Sequence, residues 1–183
     1  MQARGPLMIE HRLIERMLAV IGENLQQVKH TGQIDPLFVD TAADFIRTYA
    51  DRTHHGKEED ILFRELRRRP LSAEDRQVMD ELIEEHAFGR DTTARLVAAN
   101  HRYRNGVAGT LSEIVEAFTT LIGFYPNHII KEDRIFFPAA RAYMTGEEDQ
   151  AMLAEFLEFD RKMIHEKYTA MVVELESGKH GAS

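Results

Sequence analysis

Apolar residues recur every three or four positions along most of the chain, which is the spacing of an amphipathic α-helix. The clearest row lies in the second half of the chain and consists of Ile114, Phe118, Leu121, Tyr125, Ile135 and Ala139, with His128 and Glu132 in the same register. No segment alternates apolar and polar residues for more than a few positions, so nothing in the pattern predicts a β-strand. The sequence therefore predicts an all-α protein.

Glycine, proline and helix-capping residues divide this pattern into five predicted helices. Their predicted ranges are about 6–29, 36–69, 72–100, 111–139 and 147–177. Asp35 with Pro36, and Ser72, are typical residues for the start of a helix. Pro126 lies inside the fourth range, where we expect it to bend or end the helix. We expect one domain over residues 1–177, a bundle of four long helices plus a fifth, and a disordered tail over 178–183.

A ten-residue segment occurs twice, at 54–63 and at 128–137. Each copy has a histidine four residues before a glutamate and a lysine directly before that glutamate, followed by an isoleucine and a bulky apolar pair. Because four residues advance about 400° around an α-helix, His54 and Glu58 share one face, and so do His128 and Glu132. Two such helices can present imidazole and carboxylate groups to a shared interior.

Six polar residues that can bind a metal lie in otherwise apolar rows: His11, His54, Glu58, His86, His128 and Glu132. Burying ionisable groups without partners costs several kcal/mol each, and two cations would compensate that cost. Nitrogen and oxygen ligands without sulfur suit iron, manganese or zinc, and a glutamate can bridge two ions. One His-x-x-x-Glu pair is more often a surface hydrogen bond, and a lone His11 or His86 is more often a core residue. Two matching pairs on amphipathic helices favour the metal site.

Three polar residues directly follow candidate ligands in the sequence, and we do not expect them to bind the metal. His55, Glu59 and Asp133 are adjacent to candidate ligands but rotated by about 100° on an α-helix, so we expect them to hydrogen-bond to the ligands or to be solvated. His165 lies beside the apolar face of the fifth helix, and the pattern leaves open whether it is an additional ligand or lines the site.

Three further residues concern the surroundings of this site. Tyr49 and Tyr125 could line a metal pocket or simply pack in the core. Gly56 in the middle of a helix costs stability relative to alanine, so we expect another group to approach the backbone closely there.

Composition restricts the function further. The chain has 183 residues, a formal net charge of −8 and no cysteine. The absence of cysteine excludes disulfides, thiolate zinc sites, cysteine-ligated iron–sulfur clusters and a catalytic thiol. The negative charge argues against nucleic acid as a partner, with the three arginines at 67–69 interpreted as a solvated helix end. With no apolar run of membrane-spanning length and no leader-like start, we expect a soluble, cytoplasmic protein without a membrane partner.

Over most of residues 8–140 the chain resembles the hemerythrin-like, or HHE cation-binding, family. The resemblance is carried by His11, by 54–59 with Leu62 and Phe63, by Glu85 and His86 with Gly89 and Arg90, and by 128–132 with Phe137 and Pro138. It implies an all-α, up-down four-helix bundle, here with an additional C-terminal fifth helix. It also implies two iron ions joined by oxygen and bridged by Glu58 and Glu132. The implied terminal ligands are His11, His54, His86 and His128.

Two positions depart from the pattern of the oxygen-carrying members, which place a second histidine one turn after the first on the third helix. Here that position is Arg90, and His165 could supply the missing histidine. Oxygen carriers also place their last carboxylate five residues after the histidine of the fourth helix, where this chain has Asp133. The spacing of Glu132 is similar to that of the iron-sensing F-box hemerythrin domain and of di-iron repair proteins of nitrosative stress.

These departures speak against oxygen storage in the manner of the oxygen carriers and leave three functions open. The first is a di-iron protein that binds or senses oxygen, nitric oxide or iron. The second is a di-iron redox enzyme or repair factor that reduces oxygen, peroxide or nitric oxide, or donates iron under stress. The third is a helical interaction protein whose histidines have no chemical role. The sequence identifies no protein partner.

Overall fold

The computed structural model describes residues 3–176, with side chains described as far as Met163, and these residues form helices and no β-strand. The first helix spans Arg4–Thr31 and ends where Gly32 adopts a left-handed backbone conformation, with φ at 66°. The third helix spans Ala73–Arg104 and the fifth spans Gly146–Glu176. The all-α prediction is therefore confirmed, whereas the predicted tail at 178–183 lies outside the described residues.

The second helical segment runs from residue 36 to residue 66 and is not a uniform α-helix. Its first part, Pro36–Phe45, is α-helical and is capped by Asp35, whose side chain accepts a hydrogen bond from the backbone of Leu37. Two stretches of π-helix follow, Ile46–His55 and Glu58–Phe63, before a short α-helical end at Arg64–Leu66. A π-helix bonds residues five apart instead of four, so each turn holds more residues than the predicted α-helix does.

The third and fourth helices begin and end near the predicted positions. Ser72 caps the third helix as predicted, because its hydroxyl oxygen accepts a hydrogen bond from the backbone of Asp75 at 3.0 Å. The fourth segment consists of α-helix Thr110–Lys131, π-helix Glu132–Phe136 and α-helix Phe137–Ala140. Pro126 lies inside the first of these stretches, which continues past it, so the helix does not end there.

The core consists of two apolar clusters separated along the helices by a polar layer. One cluster takes residues from the start of the first and third helices and from the end of the second and fourth, for example Leu7, Leu82, Leu66 and Phe137. The other cluster takes residues from the opposite ends of the same helices, for example Ile14, Leu96, Ala50 and Phe118. Each of the four helices therefore brings its polar candidate residues into the space between the clusters.

The fifth helix packs against the second at Gly56. A β-carbon placed on Gly56 would lie 2.7 Å from Cζ of Phe159, which is closer than a real β-carbon approaches another atom. The expectation that a group approaches the backbone closely at this glycine is thus confirmed, and the group is an aromatic ring of the fifth helix. Among the described residues, no helix is both long enough and apolar enough to cross a membrane.

We predict that Gly56→Ala lowers the free energy of unfolding by about 1–2 kcal/mol, because the added methyl group pushes Phe159 and the fifth helix outward. Denaturant unfolding measures this change. Gly123→Ala is the matched control, since Gly123 also lies inside a helix but has no atom within 4 Å of the added carbon. The control should gain about 0.5–1 kcal/mol from its lower backbone entropy. Equal effects of the two substitutions would contradict the prediction.

Candidate metal centre

Seven buried side chains converge in the layer between the two apolar clusters. They form two groups whose donor atoms lie within 4.8 Å of one another, namely His11, His54, Glu58 and Glu132 in one group and His55, His86 and His128 in the other. All six residues predicted as ligands are therefore brought together, along with His55. Every one of the seven side chains is at most 2% exposed.

The two glutamates connect the groups. One oxygen of Glu58 lies 3.5 Å from Nε2 of His54, and its other oxygen lies 3.3 Å from Nε2 of His86. Glu132 is placed in the same way, with one oxygen 3.1 Å from Nε2 of His11 and the other 3.2 Å from Nε2 of His128. Each carboxylate thus presents one oxygen to each group, which is the arrangement that a bridging carboxylate requires.

Four of the histidines are oriented by a carboxylate on their outer nitrogen, Nδ1. The pairs and their distances are His11 with Asp133 at 2.8 Å, His54 with Glu10 at 2.9 Å, His86 with Glu59 at 2.7 Å and His128 with Glu85 at 2.7 Å. An ionised carboxylate only accepts hydrogen bonds, so Nδ1 carries the proton and Nε2 directs a lone pair into the layer. This fixes the tautomer in which a histidine binds metal through Nε2.

Each of these carboxylates is in turn paired with a cationic side chain. The pairs are Asp133 with Arg12, Glu10 with Lys57, Glu59 with Arg90 and Glu85 with Lys131. Burial alone would raise the pKa of Glu85, but hydrogen bonds from His128 and Lys131 outweigh it and lower the pKa. Burial alone would raise the pKa of Glu59, but hydrogen bonds from His86 and Arg90 outweigh it and lower the pKa to about 2. The centre therefore has three shells, which are histidine, carboxylate and cation from the inside outward.

The inner atoms of the layer lack hydrogen-bond partners. They are Nε2 of His11, His54, His55, His86 and His128 and both carboxylate oxygens of Glu58 and Glu132. Lone pairs of nitrogen and oxygen face one another here, so the short distances are repulsive until a proton or a cation lies between them. An unpaired buried polar group costs about 1–3 kcal/mol, and several together need compensation. Metal cations accept all these lone pairs, and the donor set fits them.

His55 differs most from the sequence-based expectation. Its side chain is 2% exposed, its ring stacks on that of His86 with centroids 3.8 Å apart, and its Nδ1 lies 3.6 Å from Asp51. The reason is the π-helix at Ile46–His55, since the smaller rotation per residue lets the adjacent His54 and His55 both face the layer. The histidine pair itself, with an aspartate one turn earlier, was the only available sequence signal.

The remaining candidates surround the layer. Arg90 belongs to neither donor group, and its guanidinium donates hydrogen bonds to Asp51 at 3.0 Å and to Glu59 at 2.9 Å. Tyr125 is 1% exposed and its ring centroid lies 6.3 Å from those of His55 and His128, so this tyrosine lines the centre. Tyr49 stacks on Phe45 in the apolar core. The side chain of His165 lies outside the described residues, and its role stays a prediction.

Protons occupy part of the layer when no metal is bound. Burial alone would lower the pKa of His11, but the hydrogen bond to Asp133 and the nearby charge of Glu132 outweigh it and raise the pKa to about 10. Burial is likewise outweighed at His128 by the charge of Glu132, and the pKa rises to about 9. Burial and the charge of Glu132 raise the pKa of Glu58 to about 7. Burial and the charge of His86 lower the pKa of His55 to about 3.

The raised pKa values of His11 and His128 predict how stability depends on pH. Because both pKa values lie above the ordinary histidine value of about 6.5, their contribution is complete below that pH and is lost as the pH rises through about 9 and about 10. We expect the metal-free protein to lose on the order of 5 kcal/mol between about pH 7 and about pH 9.5, because the unfolded chain has already released both protons over this range. Thermal unfolding of metal-free and metal-loaded protein measures this loss, and the loaded form should lose less. A parallel loss in both forms would rule the explanation out.

Relatives of the chain are found among mycobacterial proteins. Uncharacterised proteins from Mycobacterium bovis and from two strains of Mycobacterium tuberculosis are each 25% identical to it over 171 residues, or 92% of this chain. The chain covers 65% of the length of each of these relatives, which is less than two thirds. No solved structure matches the chain.

A family profile accounts for the helices that form the metal centre. The profile of the hemerythrin HHE cation binding domain matches residues 6–140. This match includes all seven side chains of the layer and all four of the carboxylates on their outer nitrogens. The fifth helix lies beyond it. The chain therefore belongs to the hemerythrin family of HHE cation-binding domains.

Proposed function

We propose that the layer holds two iron ions bridged by Glu58 and Glu132, and that the centre binds or senses a small molecule such as oxygen or nitric oxide, or iron itself. The observation that carries this proposal is the convergence of buried, unpartnered lone pairs on five histidine nitrogens and four glutamate oxygens. Membership of the family supports a cation. The choice of iron rests on the family resemblance, because manganese and zinc accept the same donor types.

The two groups of donors suggest how the ligands are divided between the two ions. We assign His11 and His54 to one ion and His55, His86 and His128 to the other, with both glutamates common to the two. His55 thus joins the six ligands predicted from sequence and supplies a fifth histidine, which the third helix lacks at Arg90. We also propose the up-down bundle with an added fifth helix, because each apolar cluster collects helix starts and helix ends in alternation.

A di-iron centre of this kind would supply positions for a small ligand and one-electron chemistry. The donors number five nitrogens and four oxygens, which is fewer than two octahedral ions accept, so further positions remain for that ligand. The residues around the layer limit the access of water to the donor atoms. The two apolar clusters close it off along the helices, and the outer carboxylates hold the histidine rings in place.

A redox enzyme or repair factor is the second candidate, and Tyr125 is the observation that favours it. Its phenol ring is buried beside His55 and His128 and borders an open cavity. Mixing the reduced protein with oxygen separates the two functions. A stable and reversible adduct supports binding or sensing, whereas repeated consumption of oxygen or peroxide supports catalysis.

Metal analysis and an optical spectrum of the purified protein test the di-iron proposal directly. We expect about two irons per chain and an oxo-bridged absorption that bleaches on reduction. His54→Ala and Glu132→Ala should each lower the iron content to about one ion or less. His101→Ala is the control, because His101 is an exposed histidine of the third helix outside both donor groups. Full iron content in both site variants, or a folded protein that takes up no iron, would refute the proposal.

The outer carboxylates give a second test with a matched control. Glu81 and Glu85 both contact Lys131, but only Glu85 also accepts a hydrogen bond from Nδ1 of His128. We predict that Glu85→Gln lowers iron affinity by about 10–100-fold, because the amide no longer orients and polarises the imidazole. Glu81→Gln should leave the affinity within about twofold of the parent. Competition with a coloured chelator measures both, and an equal loss in the two variants would contradict the prediction.

A further inference from the structure

A cavity of about 350 Å³ opens between the second and third helices, next to the metal centre. Small-molecule sites in proteins have volumes of roughly 300–1,000 Å³, and a diatomic ligand would leave most of this one unfilled. The cavity reaches from the protein surface to the side chains of the centre. Its volume and position therefore suit a second, larger molecule.

The floor of the cavity is formed by His55 and Tyr125, which are 2% and 1% exposed. Neither ring nitrogen of His55 has a hydrogen-bond partner, although Nδ1 lies 3.6 Å from Asp51. The ring of His55 stacks directly on that of His86. A molecule resting on this floor would therefore touch His55, which is itself one of the donors of the metal centre.

The charges at the cavity favour an anion. Arg47 lines it, is exposed, and makes no hydrogen bond or ion pair within the described part of the chain. Arg90 also lines it and contacts Asp51, which is the acidic residue of the lining. The two arginines and Asp51 leave one net positive charge on the lining of the cavity, in a protein whose net charge is −8.

The walls of the cavity favour an organic molecule over an inorganic anion. Ile46 and Val97 present apolar side chains from the second and third helices, and Ala94 lies at the exposed edge. Contact with such walls stabilises apolar groups in proportion to the area removed from water. A phosphate or sulfate ion would gain nothing from them.

We propose that this cavity binds a small organic carboxylate with an apolar body. Its carboxylate pairs with Arg47, its apolar part lies along Ile46 and Val97, and its far end rests on His55 and Tyr125. The inference rests on the proposed function in one respect, namely that the bound molecule lies beside a metal centre. The centre would then have a site for a larger ligand in addition to its positions for a diatomic one.

Benzoate and benzamide, which have the same shape and differ in charge, are suitable probes. Isothermal titration of the full, metal-loaded chain should show a dissociation constant for benzoate of about 1 mM or lower and binding of benzamide that is at least about tenfold weaker. Arg47→Gln should weaken benzoate about tenfold and leave benzamide unchanged, because it removes a charged hydrogen bond. Arg16→Gln, which removes an exposed arginine of the first helix, should change neither.

Ala94→Phe provides an independent variant, because it fills the mouth of the cavity from an exposed helical position and should abolish the binding of both probes. Equal binding of benzoate and benzamide, an unchanged benzoate affinity in Arg47→Gln, or phosphate binding as tightly as benzoate would each overturn the inference. Repeating the titration on metal-free protein separates the two proposals. Benzoate binding by a chain that takes up no metal would refute the metal centre alone, and metal uptake without benzoate binding would refute the cavity site alone.

Discussion

The structure depends on one electrostatic constraint, which is that seven ionisable side chains are buried side by side with their inner lone pairs unpartnered. Burying such groups is unfavourable unless a cation or protons compensate them. The apolar clusters on both sides of the layer, for example around Leu82 and Leu96, sharpen the constraint because they keep water out. Packing of the two apolar clusters therefore provides the free energy that keeps these side chains buried. The unpartnered lone pairs in turn require positive charge between them.

The shells around the layer show how four helices share this constraint. Each oriented histidine takes its carboxylate from another helix or segment, as when His54 of the second helix contacts Glu10 of the first. The cation on that carboxylate, Lys57, is completely buried and also contacts Asp160 of the fifth helix at 2.8 Å. The fifth helix lies outside the region matched by the family profile, yet through this chain of contacts it supports a histidine of the centre.

The sequence predicted the parts of this arrangement that follow from α-helical spacing. The caps at Asp35 and Ser72 and the inward position of Glu132 all follow from local chemistry and a rotation of about 100° per residue. The π-helical stretches do not, because they depend on packing between helices, and so the inward position of His55 was missed. The outer carboxylates were only partly predictable, since Glu10 and His54 are 44 residues apart and only the folded chain brings them together.

The π-helix before Gly56 changes which side chains of the second helix face the layer. One extra residue in a turn shifts the phase of all that follows, so two adjacent histidines face inward where an α-helix would turn one of them outward. In the proposed centre the second helix provides two histidines and the third helix provides His86 alone, so the next turn of the third helix can carry Arg90. In that arrangement the position of Arg90 on the third helix is not needed for a metal ligand. The side chain of Arg90 instead lines the cavity.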